Sequence, residues 1–305
     1  MQAILRQTAV IGRKPLHTLT PSEARAWFDP RFTTLGRERK EVSRIEDRKF
    51  RGPAGEIPVR IYMPFGKGPF GGLIYFHGGA FVVGNLDTHD AICRDLTAGA
   101  GCVTISVDYR LAPEHKFPAA PEDCYSATRC AHDSAEQINV DPNRIAVGGD
   151  SAGGNLAAVV AQMARDRRGP KIAFQLLMYP VTDAVNETPS QREFSKDEFT
   201  ISKADVDWSY GHYLSDGERM SPYASPGLAK SFVGLPSAYV LTAEFDPLRD
   251  EGEAYAEALR LAGLKVKLKR YKGVCHGFVS FASVLDAGKR AIADCCAELR
   301  TAIGG

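Results

Sequence analysis

The chain has 305 residues, and 38 Lys+Arg against 37 Asp+Glu leave a formal net charge of +1. Hydrophobic residues make up 44% and charged residues 25%, which excludes a disordered chain and suits a globular one. Balanced charge provides no basic footprint, so no nucleic-acid partner is expected.

In chain order, the N-terminal segment meets Arg13 and Lys14 before any apolar stretch of secretory length, so no signal peptide is expected. Residues 1–40 read as partly helical and amphipathic, with Ala26-Trp27-Phe28 in the second half. Two strands, 42–50 and 57–63, then come before any crossover helix, which predicts an antiparallel edge. Beyond them, β-branched runs at 72–76, 102–107, 144–148, 172–178, 238–242 and 265–271 alternate with helical patterns near 87–99, 119–131, 152–168, 248–262 and 282–302. The run Leu73-Ile74-Tyr75-Phe76 is apolar on both faces, as a parallel sheet covered by helices requires. Strand–helix alternation predicts one α/β fold with a mostly parallel sheet of about eight strands flanked by helices. The helix from 152 is expected to stop at a left-handed cap at Gly169, before Pro170. The next helix should end at Gly263.

Residues 183–236 refuse this pattern. They are too many for an ordinary connection and carry Phe199, Trp208, Tyr210, Tyr213 and Leu214, so an ordered, functional insertion is expected. With the N-terminal segment they predict a helical cap over one end of the sheet. The expected division is 1–45 and 183–225 for the cap, and 46–182 and 226–305 for the core. The longest uncharged run, 68–86, holds six glycines and is no membrane span. Seven cysteines without C-x-x-C spacing, and histidines without H-x-x-x-H spacing, predict reduced thiols in a cytoplasmic protein and no metal site. The glycosylation pattern Asn186-Glu187-Thr188 is read as chance.

The chemistry concentrates in four places. Gly149-Asp150-Ser151-Ala152-Gly153 has the form G-x-S-x-G between a predicted strand and a predicted helix, where a sharp turn presents a serine nucleophile. A serine needs a base and the base an orienting acid. Asp246 and His276 each follow a predicted strand, 30 residues apart, in the order Ser, Asp, His. Glu244 lies too near the strand end and Asp250 falls inside the following helix, so Asp246 is the preferred acid. His77-Gly78-Gly79-Ala80-Phe81 ends an apolar strand in a glycine loop. N–H groups from Gly79, Ala80 and Ala152 are expected to form an oxyanion hole, with His77 structural.

The blocks His77-Gly78-Gly79-Ala80-Phe81, Tyr109-Arg110-Leu111-Ala112-Pro113-Glu114-His115, 149–154 and Asp246-Pro247-Leu248-Arg249-Asp250-Glu251-Gly252 resemble bacterial esterases of the hormone-sensitive-lipase group, in their GDSAGG branch, within the α/β-hydrolase superfamily. The resemblance runs from about residue 56 to 281 and weakens in 1–40 and 183–223. It implies a triad of Ser151, Asp246 and His276, an oxyanion loop of Gly78, Gly79 and Ala80, and a homodimer. The fourth loop position departs from HGGG, since Ala80 stands there. The expected function is a serine carboxylesterase for short- to medium-chain acyl esters, with a small-molecule ester as substrate and no cofactor. The alternatives are a non-catalytic small-ligand-binding protein on the same fold and an amide or peptide hydrolase using the same triad.

Overall fold

The computed structural model describes residues 12, 14–34, 39–195 and 199–304. Among these residues eight strands form one sheet: β1 (Arg44–Gly52), β2 (Gly55–Met63), β3 (Phe70–Phe76), β4 (Val103–Val107), β5 (Val140–Asp150), β6 (Phe174–Met178), β7 (Ser237–Phe245) and β8 (Val266–Cys275), in the order β1-β2-β4-β3-β5-β6-β7-β8. The expected antiparallel edge is present, because β1 pairs with β2 and β2 with β4 in antiparallel fashion. Every other pairing is parallel.

Alternation along the central strands explains the two-layered core. Ile74 and Phe76 join one buried cluster with Ile105, Val147, Leu156 and Val160, while Leu73 and Tyr75 join the other with Leu176, Leu241 and Leu299. Helices cover both faces: α2 (Asp90–Ala100), α3 (Ala119–Asp133), α4 (Ala152–Asp166), α7 (Arg249–Leu261) and α8 (Asp286–Ile303). Helix α7 gives way to the left-handed Gly263, as expected. The end of α4 corrects the sequence reading. Its left-handed residue is Arg168 (φ 52), not Gly169. Gly169 instead permits a close approach, since a Cβ there would fall 2.4 Å from the Tyr125 hydroxyl. Helix α8 also starts later than expected, after a single 3-10 turn at Phe278–Phe281.

Helix α1 (Pro21–Thr34) precedes the sheet, while residues 183–236 contain α5 (Pro189–Glu193) and α6 (Lys203–Tyr213). Both insertion helices begin in capping boxes, Thr188 with Gln191 and Ser202 with Asp205, whose side chains accept from otherwise unpaired backbone N–H groups at the helix starts. Helix α1 is less cleanly amphipathic than expected: Ala24 and Trp27 are buried, whereas Phe28 is half-buried and stacks on Phe32 at 3.9 Å. The expectations for residues 1–11, 13 and 35–38 lie outside the described residues. The two segments meet where Trp208 Nε1 donates to the Leu19 carbonyl at 3.1 Å. All seven cysteines are described and none forms a disulfide; six are buried, and Cys130 is half-exposed. Among the described residues, no helix is long and apolar enough to cross a membrane.

Candidate active site

Parallel strands deliver their carboxyl ends to one edge of the sheet, and the expected residues lie in the loops that leave it. Ser151 follows β5 directly and adopts φ 56, ψ −120, a conformation costly for a residue with a side chain. Two glycines make that turn possible. A Cβ on Gly149 would fall 2.3 Å from the Phe76 carbonyl oxygen, and one on Gly153 would fall 1.9 Å from it. The turn is further held by the Ser151 N–H, which donates to the Met178 carbonyl at 2.8 Å.

Asp246 follows β7 and His276 follows β8, strands paired in parallel with a bulge between Ala243 and Phe245. The Asp246 carboxylate is completely buried and accepts the Leu248 N–H at 2.9 Å on Oδ1. Its Oδ2 lies 2.8 Å from His276 Nδ1. A carboxylate can only accept, so Nδ1 carries the proton and Nε2 is left to accept from the Ser151 hydroxyl, 2.8 Å away. The competing acids are engaged elsewhere. Glu244 accepts the Gly273 N–H at 2.7 Å, and Asp250 accepts the Ser190 N–H at 2.8 Å.

The glycine loop follows β3. Among the described residues, the N–H groups of Gly79, Ala80 and Ala152 have no protein acceptor. Gly78 differs and corrects the oxyanion role that the family resemblance implies for it. Its N–H donates to Asp150 Oδ1 at 2.9 Å, so it is spent on holding the loop. A Cβ there would meet Asp150 Oδ2 at 2.4 Å, which explains the glycine. Ala80 and Phe81 take φ 55 and 62, so the departure from glycine leaves a side-chain-bearing residue in left-handed backbone.

Asp150 was visible in the motif but only as a flank of the serine. It is buried, and its Oδ1 also accepts the Tyr75 hydroxyl at 2.7 Å. His89, which sequence reasoning missed, brings Nε2 to 3.3 Å from the same oxygen. Burial pushes the Asp150 carboxyl up, but the facing His89 and the donors from His89, Tyr75 and Gly78 outweigh it and lower it to about 2. His77 is held neutral: burial first, then the neighbouring His89, lowers it to about 3. Its Nδ1–H donates to the Gly78 carbonyl at 2.9 Å, a structural contact.

A mostly apolar cavity of about 120 Å³ opens onto Ser151 and His276. Trp27, Phe28 and Phe32 of α1 line one side, with Val206 and Tyr210 of α6 and Leu248 among the other walls. The insertion also touches the catalytic loops themselves, since the Thr200 hydroxyl donates to the His276 carbonyl at 2.7 Å.

A serine turn with a histidine and a buried carboxylate in hydrogen-bonding sequence, on the carboxyl edge of a mostly parallel sheet, defines an α/β-hydrolase-type site. A family model for the alpha/beta hydrolase fold matches residues 73–280, and the chain belongs to that family. It is 48% identical over 243 residues to "Carboxylic ester hydrolase LipN" of Mycobacterium tuberculosis, a match covering 77% of this chain and 64% of that protein. "Esterase LipI" of the same organism is 43% identical, covering 86% and 83%. Among solved structures, the ester-hydrolase EH1AB1 from the metagenome of Lake Arreo, complexed with a bipyridine phosphonate derivative, superposes with a TM-score of 0.92 at 44% identity, covering 97% and 95%.

Proposed function

We propose that the protein is a serine carboxylesterase of the hormone-sensitive-lipase group acting on small esters with short- to medium-chain acyl groups. The reading is carried by the contact chain from Ser151 Oγ through both nitrogens of His276 to Asp246, 2.8 Å at each step. Ser151 Oγ attacks the ester carbonyl while His276 Nε2 takes its proton. The tetrahedral oxyanion is met by the N–H groups of Gly79, Ala80 and Ala152. Collapse releases the alkoxide, which receives the proton from His276, and leaves an acyl group on Ser151. Water then enters by the same route, giving its proton to His276, and the carboxylic acid departs as Ser151 is restored. Asp246 keeps the imidazole in the tautomer that accepts from serine and stabilises the imidazolium.

Residues 1–45 and 183–225 act in this proposal as the cap that roofs the acyl pocket. The esterase names of the relatives, at 43–48% identity, support the reaction class. A cytoplasmic setting is supported by seven cysteines outside any disulfide. A homodimer is carried over from the family resemblance. The test is hydrolysis of p-nitrophenyl esters with Ser151→Ala as control. Wild-type turnover that falls roughly 10⁴–10⁶-fold in a folded Ser151→Ala sample is expected, and an unchanged rate would overturn the assignment.

A further inference from the structure

Two consecutive residues with side chains, Ala80 and Phe81, hold left-handed backbone in the oxyanion loop. Such a conformation persists only when its surroundings over-determine it. Where glycine would sit in this region freely, Ala80 needs an external hold. Core contacts supply part of it. The Val82 and Val83 N–H groups both donate to the Gly79 carbonyl at 2.9 Å, and the Ala112 N–H donates to the Phe81 carbonyl at 2.9 Å. The remaining contacts come from outside the core. The Ser209 hydroxyl of α6 donates to the Ala80 carbonyl at 2.8 Å, and Tyr213, one turn on, stacks on Phe81 at 3.8 Å with planes 3° apart. From α1, Arg25 Nε donates to the Val82 carbonyl at 2.8 Å.

Building on the esterase reading, we propose that Ser209 is a positioning residue: its hydrogen bond to the Ala80 carbonyl holds the oxyanion donors in place. The carbonyl it grips belongs to the Ala80–Phe81 peptide. If that peptide is released, Ala80 can relax to the ordinary negative φ of an L-residue, which swings the preceding Gly79–Ala80 peptide and its N–H away from the substrate oxygen. The insertion is then part of the catalytic apparatus as well as a wall. Its helix α6 joins substrate enclosure to oxyanion stabilisation through one hydroxyl. Ser209 also borders the cavity, but it is 6% exposed and its oxygen is directed at the loop carbonyl, not into the cavity.

The test compares wild type, Ser209→Ala and Ser209→Thr, because alanine suits a helix interior and threonine restores the hydroxyl. Three quantities are measured: kcat and KM for p-nitrophenyl butyrate, the rate at which a fluorophosphonate labels Ser151, and the thermal midpoint. Loss of a direct oxyanion donor costs about 10²–10³ in kcat, so loss of its positioning contact should cost roughly 10–100-fold. Ser209→Ala is expected to lose that in kcat with KM nearly unchanged, to slow phosphonylation by a similar factor, and to keep its thermal midpoint. Ser209→Thr should recover most of both rates. Unchanged kcat in Ser209→Ala, a rise in KM alone, or failure of threonine to recover the rates overturns the proposal. A wild type that is phosphonylated yet hydrolyses no ester overturns the esterase reading instead, and the labelling ratio still decides the role of Ser209.

Discussion

The buried carboxyl group of Glu251 accepts the backbone N–H of Thr182 at 2.7 Å and so fastens α7 to the point where the chain leaves β6 for the insertion. It also accepts from the Asp183 N–H at 3.3 Å and from the Gln191 side-chain amide at 3.0 Å. Burial nonetheless dominates, and the carboxyl is pushed up from 4.5 to about 8.

The native protein therefore holds a proton on Glu251 that the unfolded chain releases. The corresponding stability is complete below about pH 4.5 and is lost as pH rises through about 8. Urea unfolding between pH 5 and 9 should show wild type losing on the order of 4 kcal/mol more than Glu251→Gln. Parallel pH slopes in the two proteins would contradict this.

Asp150 has the opposite sign. Its folded carboxyl, lowered to about 2 from 3.8, contributes stability that is present above pH 3.8 and lost as pH falls through 2. Asp150→Asn should be less stable than wild type by on the order of 2 kcal/mol at pH 6, and the gap should close towards pH 2. Denaturant midpoints of both proteins across that range provide the check.

A glycine in the serine turn and a glycine in α6 should respond in opposite directions. Gly153→Ala drives a Cβ to 1.9 Å from the Phe76 carbonyl oxygen, a backbone atom that cannot swing aside. A loss of about 3 kcal/mol or more is expected, with collapse of activity because the serine turn must shift. Gly211 lies within α6 and a Cβ there meets nothing within 4 Å. Gly211→Ala should gain about 0.5–1 kcal/mol. Calorimetric midpoints of the pair decide both statements.

Acyl length should show an optimum. Each buried methylene contributes about 0.8 kcal/mol, nearly fourfold in rate, until the cavity ends. Beyond that, overpacking costs about 1–3 kcal/mol, so activity should peak at roughly four to eight carbons. Trp27 is 8% exposed and lines the cavity, and Trp27→Ala should move the peak to longer chains. A kcat/KM series from acetyl to palmitoyl esters on both proteins is the measurement. A wild-type peak at sixteen carbons would mean an open groove.

Much of this arrangement is legible in the residues themselves. The serine turn, its candidate base and its candidate acid announce themselves because each needs a particular residue type immediately beyond an apolar strand. Strand ends are harder to read. Lys272 and Gly273 hide the continuation of β8 to Cys275, and Pro142 with Asn143 hides the start of β5 at Val140. Long-range partners are hardest. Ser209 sits 129 positions from Ala80 and Glu251 sits 69 from Thr182, and no local pattern brings either pair together. The role of Gly78 was misread for the same reason, since only the folded chain reveals that Asp150 has taken its N–H.

The single half-exposed thiol also gives the molecule an orientation that chemistry can use. Six cysteines are buried, and burial raises Cys102 to about 12 and Cys296 to about 11, so thiol reagents find little thiolate there. Cys130 lies near the end of α3, the helix that carries the chain from the carboxyl edge of β4 back towards the start of β5. It therefore stands near the edge of the sheet opposite Ser151. A maleimide resin or dye would take hold of the protein at that one point, and an immobilised layer would face its substrate entrance outward.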